Sequence, residues 1–225
     1  MIATIESILG ELFSKHCAVG IQRWSTKEHS LHACEEEAVR SATVKRRLEF
    51  AAGRTAAREA LTGLGFTNAR VPMNPDRSPV WPTGTVGSIS HCAQIAVAVA
   101  ATTSCVRGVG IDIEQSLALD VSLWEETLTR REQKWLESKG DVDRVSWATV
   151  IFSAKEAFYK MQYPLTSRWV GFHEVQAEIH PLNLRLELWC DQLAVCRVLG
   201  TDRVRVGYIF AGEHCVTGCE LALSN

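Results

Sequence analysis

The chain has 225 residues, of which 46% are hydrophobic and 22% charged, ordinary values for a globular protein with a real core in one large domain or two small ones. A net charge of −2 excludes a nucleic-acid binder that works through a dominant basic field. No apolar run reaches about 18 residues without a charge, so no transmembrane helix and no membrane partner are expected.

Met1 to Glu6 carries no basic n-region and no long apolar stretch, so no secretory signal is expected and a reducing, cytoplasmic compartment follows. The eight cysteines, at 17, 34, 92, 105, 190, 196, 215 and 219, are then free thiols, most of them small buried hydrophobes. No C-x-x-C pair occurs, and Cys215 and Cys219 have no second pair at zinc-site spacing. Charge is uneven along the chain: residues 1–110 hold 12 Lys+Arg against 9 Asp+Glu, net +3, and residues 111–225 hold 12 against 17, net −5. Either this is chance, or an anionic ligand belongs to the first half and a cation to the second.

Glu35 to Leu64 reads as one long helix, rich in Ala, Arg, Glu and Leu and ended by Gly63 and Gly65. Arg47, Arg54 and Arg58, spaced by seven and four, share one face of it. Guanidinium forks bind phosphate oxygens in pairs, although such a stripe is equally a solvated face paired with Glu36 or Glu59. Val71 to Pro82 holds four prolines and reads as a rigid, irregular connection. Gly87 to His91 follows as a turn whose N–H groups, serine hydroxyl and histidine suit a phosphate, or as an ordinary turn with a satisfied histidine. Ile95 to Ala101 and Val106 to Ile113 read as a hairpin around Thr102 to Cys105.

In Gly108 to Glu114, strand alternation places Gly110, Asp112 and Glu114 on one face, the carboxylates about 7 Å apart. The glycine is expected to leave room for a ligand, and two hard oxygen donors beside open space suit magnesium. Taken alone, the same residues are a half-buried strand with an acidic side. Thr129 to Glu132 is a capping box opening a short helix. Arg144 to Met161 reads as a second helix with an apolar stripe of Trp147, Ile151, Ala154, Phe158 and Met161. Thr149, Ser153, Glu156 and Lys160 fall opposite it, and Glu156 stands above Lys160 as either a surface pair or part of a site. From Glu174 on, the alternation of Leu184, Leu186 and Leu188, then Val204 and Val206, reads as antiparallel strands. Without a βαβ rhythm, the class is α+β.

Each signal alone is weak; their combination is specific. GSISH at 87–91, GVGIDIE at 108–114 and FSAKEAFYK at 152–160 resemble the three signature motifs of the surfactin-type 4′-phosphopantetheinyl transferases. Arg47 and Arg54 within RRLEFAAGRTAAREAL, with DRSPVWP at 76–82, resemble the enterobactin synthetase component D branch. The matches run in order from about residue 46 to 160, and the carboxy-terminal stretch carries no signature.

The resemblance implies two pseudo-twofold-related α/β lobes with a ligand cleft between them: residues 1–110 holding the phosphates and nucleotide of coenzyme A, and residues 111–225 carrying the metal acids and third motif. Asp112, Glu114 and Glu156 match the Mg²⁺-binding acids, with Mn²⁺ as an alternative ion. Lys155 and Lys160 match the third-motif lysines, Lys160 near the pyrophosphate. Ser90 and His91 match phosphate-holding positions, and Arg47, Arg54 and Arg77 match nucleotide-binding ones. Met73-Asn74-Pro75 departs from the glycine common there in related sequences.

The implied reaction moves the phosphopantetheine arm of coenzyme A to a serine of an apo acyl or peptidyl carrier protein. Asp112, Glu156 and Lys160 are its catalytic groups. The carrier serves siderophore, nonribosomal-peptide, polyketide or fatty-acid synthesis. It is expected to dock on Leu117 to Trp135, where Leu119, Val121, Leu123, Trp124 and Leu128 are flanked by Arg130 and Arg131, although the same run is equally a linker packed onto the core. A monomer is expected. The competing readings are a metal-dependent phosphohydrolase or nuclease using the same acids, a coenzyme A-binding module without catalysis, and a protein that only docks carriers.

Overall fold

The division of the chain follows from which strands have a free edge. The computed structural model describes residues 5, 8–24 and 30–223; the reading of Met1 to Thr4 and of Glu6 lies outside the described residues. The first half contains Cys17–Arg23 (β1), Ala33–Glu36 (α1), Val44–Gly63 (α2), Thr85–Cys92 (β2) and Ile95–Thr102 (β3). Its sheet runs β1-β3-β2, every pair antiparallel. With β1 on one side and β2 on the other, β3 has no edge left for Val106–Gln115 (β4). The expected β3–β4 hairpin therefore does not form. After the turn at Thr102 to Cys105, β4 opens a second sheet.

That sheet is completed by Val175–His180 (β5), Arg185–Cys190 (β6), Arg203–Ala211 (β7) and His214–Ala222 (β8), in the order β4-β8-β7-β6-β5. Helices Trp124–Thr127 (α3), Arg130–Glu137 (α4) and Asp141–Thr166 (α5) precede β5, and Leu193–Leu199 (α6) joins β6 to β7. In both halves a first strand leads to a long helix, and the last strand returns antiparallel beside the first: β3 on β1, β8 on β4. The architecture is mixed α+β with two sheets. Strand β4 is continuous from Val106 to Gln115, so residue 110 lies inside a strand of the second sheet.

Strand β3 shows how the halves are stacked. Val97, Val99 and Ala101 join Val109, Ile111 and Ile113 of β4 in one buried cluster, so the face of β4 opposite its acids packs against the first sheet. Ala98 and Ala100 point the other way, against Ala56, Ala57 and Ala60 of α2. Small residues on both sides let this helix lie very close to its sheet. A Cβ at Gly20 of β1 would sit 2.1 Å from the Ala56 carbonyl oxygen. The second half repeats the device: a Cβ at Gly110 of β4 would meet the Ala157 oxygen of α5 at 1.9 Å. The space beside Gly110, expected to be left for a ligand, is filled by the helix.

Other expectations are also corrected. The long helix is interrupted: α1 gives way to a 3₁₀ turn ending at Val39, and α2 starts afresh after Thr43. The extended backbone of Thr43 lets its hydroxyl accept the Arg46 N–H at 3.3 Å, an N-cap that terminates one helix direction and begins another. GSISH is no turn but the interior of β2, with Gly87 opposite Ala100 and His91 opposite Ala96. On α5, Ile151, Ala154, Phe158 and Met161 are buried as expected, yet Thr149 and Ser153 on the polar side are buried too. Leu186, Leu188, Val204 and Val206 point into the core, whereas Leu184 is exposed in a left-handed turn at φ 50°. All eight cysteines are free thiols; Cys190, Cys215 and Cys219 are buried and Cys34 is exposed. Among the described residues, no helix is long and apolar enough to cross a membrane.

Candidate active site

The site is organised around one carboxylate. Asp112 is only 2% exposed and takes hydrogen bonds from both halves of the molecule. Its Oδ1 accepts from Lys160 Nζ of α5 at 2.5 Å and from Ser90 Oγ of β2 at 2.8 Å, and Lys160 also donates to Ser90 at 3.0 Å. Its Oδ2 accepts from Ser153 Oγ at 2.8 Å, and Ser153 lies 2.9 Å from Thr217 Oγ1 of β8. Strands β2 and β4 have no ladder between them; the Ser88 hydroxyl, accepting the Ile111 N–H at 3.1 Å, is one of the side-chain links that hold them together. Asp112, Ser90 and Lys160 are thus brought together. Ser153 and Thr217 were missed, although Ser153 lies inside FSAKEAFYK on the same side as Lys160.

Glu114 and Glu156 share this electrostatic neighbourhood. Burial, reinforced by the Asp112 and Glu156 charges and opposed by Lys160, pushes the Glu114 carboxyl up to about 7. Burial also raises Glu156, against the Lys160 charge and with that of Asp112. Among the described residues no three His, Cys, Asp or Glu side chains converge on one ion-sized point, so the expected three-acid cluster is not drawn together here. The Lys160 ammonium, in place of further carboxylates, neutralises Asp112. The chemistry of the donors nevertheless fits Mg²⁺ or Mn²⁺. All three are hard oxygen ligands, and Glu114 feels the charges of both Asp112 and Glu156.

Beside this centre lies a cavity of about 990 Å³ between the 74–81 loop, β2, β4 and α5, at the upper end of small-molecule sites. Arg77 and Lys160 line it together with Trp81, Tyr159, Tyr163 and Trp169. Arg77 is held at φ 70°, an uncommon conformation for a side-chain-bearing residue, by a turn closed through its N–H to the Asn74 carbonyl. The Tyr163 hydroxyl donates to Asp76 at 3.3 Å and ties that loop to α5.

The arginine stripe does not act as a unit. Arg58 is committed to Glu35 at 2.9 Å and to the Ser30 carbonyl at 2.7 Å. Arg54 is buried against the Phe50 ring, 4.1 Å from its centroid, with Nε unpartnered. Burial lowers its pKa to about 10, Glu35 opposing and Arg46 and Arg58 adding. Arg47 is exposed, and it is Arg46 that reaches His91, 3.0 Å from Nε2. Helical phase counted from Arg47 cannot show this, because the contact joins α2 to β2 across 45 positions and is set by how the helix packs.

Lys155 is also reassigned. It is buried, and its ammonium gives hydrogen bonds to Glu132 at 2.7 Å, the Phe172 carbonyl at 2.9 Å and the Thr127 carbonyl at 3.1 Å. Its three N–H groups leave none for a coenzyme A phosphate in this arrangement. Glu132, the acid of the capping box, also accepts from the Thr129 N–H at 2.7 Å and the Ala177 N–H at 2.6 Å. The pair therefore locks α4, α5 and β5 together. Burial lowers the Lys155 pKa against the pull of Glu132. Removing one partner of such a pair costs about 3–5 kcal/mol. Lys155→Met should therefore lower the thermal and urea midpoints clearly, and an unchanged urea midpoint would show the pair to be dispensable.

Two family models match the chain: residues 34–101 match the 4′-phosphopantetheinyl transferase N-terminal domain and residues 108–208 the 4′-phosphopantetheinyl transferase superfamily. The 4′-phosphopantetheinyl transferase Npt of Nocardia iowensis is 34% identical over 143 residues, 64% of this chain and 64% of Npt. The 4′-phosphopantetheinyl transferase Svp of Streptomyces mobaraensis is 34% identical over 172 residues, 70% of this chain and 69% of Svp. Enterobactin synthase component D of Escherichia coli is 37% identical over 154 residues, 67% of this chain and 66% of that protein. The chain thus spans slightly less than two thirds of Npt and of the Escherichia coli relative.

Proposed function

The chain belongs to the 4′-phosphopantetheinyl transferase superfamily, and from that premise we propose that it moves the 4′-phosphopantetheine arm of coenzyme A to a serine of an apo acyl or peptidyl carrier protein, releasing adenosine 3′,5′-bisphosphate. The observation that carries this reading is the junction at Asp112. An acid of one half, a serine of the other and a lysine of α5 meet there, beside a cavity that Lys160 itself lines.

In this reading the carrier serine oxygen bonds to the phosphorus bearing the pantetheine arm. The bond from that phosphorus to the oxygen bridging to the adenosine side breaks. Lys160 offers its ammonium to the pyrophosphate, with Ser90 beside it. Arg77 contributes from the cavity wall, and Arg46 of α2, in contact with His91 of β2, provides a further cation. Glu156, whose carboxyl is raised by burial, takes the serine proton or binds the cation together with Asp112 and Glu114. Mg²⁺, when bound by these acids, would supply a positive charge that stabilises the leaving phosphate.

The carrier is placed on the segment after β4. There Leu117, Val121 and Leu123 are exposed, as are Arg130 and Arg131, and carrier domains of this kind are usually acidic around their serine. Leu119 and Leu128 of the same segment are buried and hold it to the core. We assign the chain to the surfactin-type group and its enterobactin component D branch, on the 76–82 loop and the arginine helix. Free thiols suit the cytoplasm, and a cleft formed within one chain suits a monomer. Incubation with apo carrier protein, coenzyme A and Mg²⁺ should add the mass of one phosphopantetheine arm to the carrier. No mass gain with carriers of several classes would refute the reading.

A further inference from the structure

Helical hydroxyls in this protein have a usual fate. Thr55, Thr62, Thr127 and Thr149 each donate to the carbonyl four residues earlier, the common way for such a group to satisfy itself locally. Ser153, fully buried on α5, does otherwise and gives its proton to Asp112 Oδ2. A hydroxyl carries one proton and an ionised carboxylate only accepts, so Ser153 has none left for its second partner. The 2.9 Å contact with Thr217 must then run from the Thr217 hydroxyl to the Ser153 oxygen. Thr217 is also fully buried and is the cross-strand partner of Asp112 on β8. The direction of the chain is therefore set: Thr217 to Ser153 to Asp112.

We infer that Ser153 and Thr217 are positioning residues for Asp112: they fix its Oδ2 and leave Oδ1, which here accepts from Ser90 and Lys160, as the oxygen that would turn from Lys160 to a cation. The inference rests on Asp112 being a cation ligand, as proposed above. The physical reason is geometric. An aspartate side chain has a broad terminal torsion, and without an anchor both oxygens would exchange places in front of Lys160. A donor bonded to another donor is itself oriented, so two neutral hydroxyls on two different elements hold the carboxylate plane. Partners behind a ligating carboxylate typically matter by 10–100-fold in metal affinity.

The test uses the full chain without coenzyme A, with Mn²⁺ as probe, and reads its binding by calorimetry and electron paramagnetic resonance. Ser153→Ala and Thr217→Val should each weaken Mn²⁺ about tenfold or more. Thr217→Ser, which keeps the hydroxyl and loses only a methyl, should stay within about twofold of wild type. At saturating Mg²⁺ the KM for coenzyme A should change by less than about twofold in all three. Wild-type Mn²⁺ affinity in Ser153→Ala and Thr217→Val overturns the inference. A loss in Thr217→Ser as large as in Thr217→Val overturns it too, since packing would then be the cause. Asp112→Asn separates the two levels. If it binds Mn²⁺ like wild type, the cation assignment of Asp112 fails; if it loses the ion while the hydroxyl variants keep it, the relay alone fails.

Discussion

Asp112→Asn should abolish carrier modification while the protein stays folded. The amide keeps the shape and one acceptor oxygen, so Ser153 and one of Ser90 or Lys160 still find a partner. What goes is the charge that opposes Lys160 and that binds a cation. Removing that charge also relieves repulsion on Glu114, whose carboxyl is pushed up in part by Asp112. Lys160, with about a quarter of its side chain exposed, can turn to water. The fall in kcat should be at least about 10²–10³-fold, the size seen when one positioned electrostatic group is removed from a transition state. Far-ultraviolet circular dichroism and the melting temperature should stay close to wild type. Near-normal turnover with Mg²⁺ would remove Asp112 from the chemistry. An unfolded variant would instead make it a structural ion-pair partner.

Gly110→Ala should be the most damaging single methyl in the molecule. The added Cβ would lie 1.9 Å from the Ala157 carbonyl oxygen and 2.8 Å from its carbon. Both belong to helix backbone and cannot swing aside as a side-chain end would. Helix α5 must therefore move off β4, and it carries Ser153, Glu156 and Lys160 as it goes. Overpacking of this kind costs about 3 kcal/mol at the upper end of its usual range, or roughly 6–12 °C in melting temperature for a chain of this size. Activity should fall further than stability, because the three donors and acids shift together relative to Asp112. A melting temperature within about 2 °C of wild type would mean that α5 and β4 are not in backbone contact.

Much of the chemistry was legible in the residues themselves. Strand alternation in Gly108 to Glu114 predicted which face of β4 bears the acids, because a pleated strand leaves a side chain only two directions. Periodicity likewise found the buried stripe of α5, and the spacing from Thr129 to Glu132 found the capping box. These are local rules, obeyed within one or two turns of chain. Partners far apart in sequence were another matter. Whether Lys155 faces a ligand or Glu132, whether Arg46 or Arg47 reaches His91, and whether Gly110 leaves space for a substrate or for a helix all depend on what packs opposite. The β3–β4 hairpin failed for the same reason: two good strands joined by a short turn pair only if an edge is free, and β1, distant in sequence, had taken it. The Thr217–Ser153–Asp112 chain joins residues 64 and 41 positions apart. Such contacts have no local signature, and only the closing of β8 against β4 under α5 decides them.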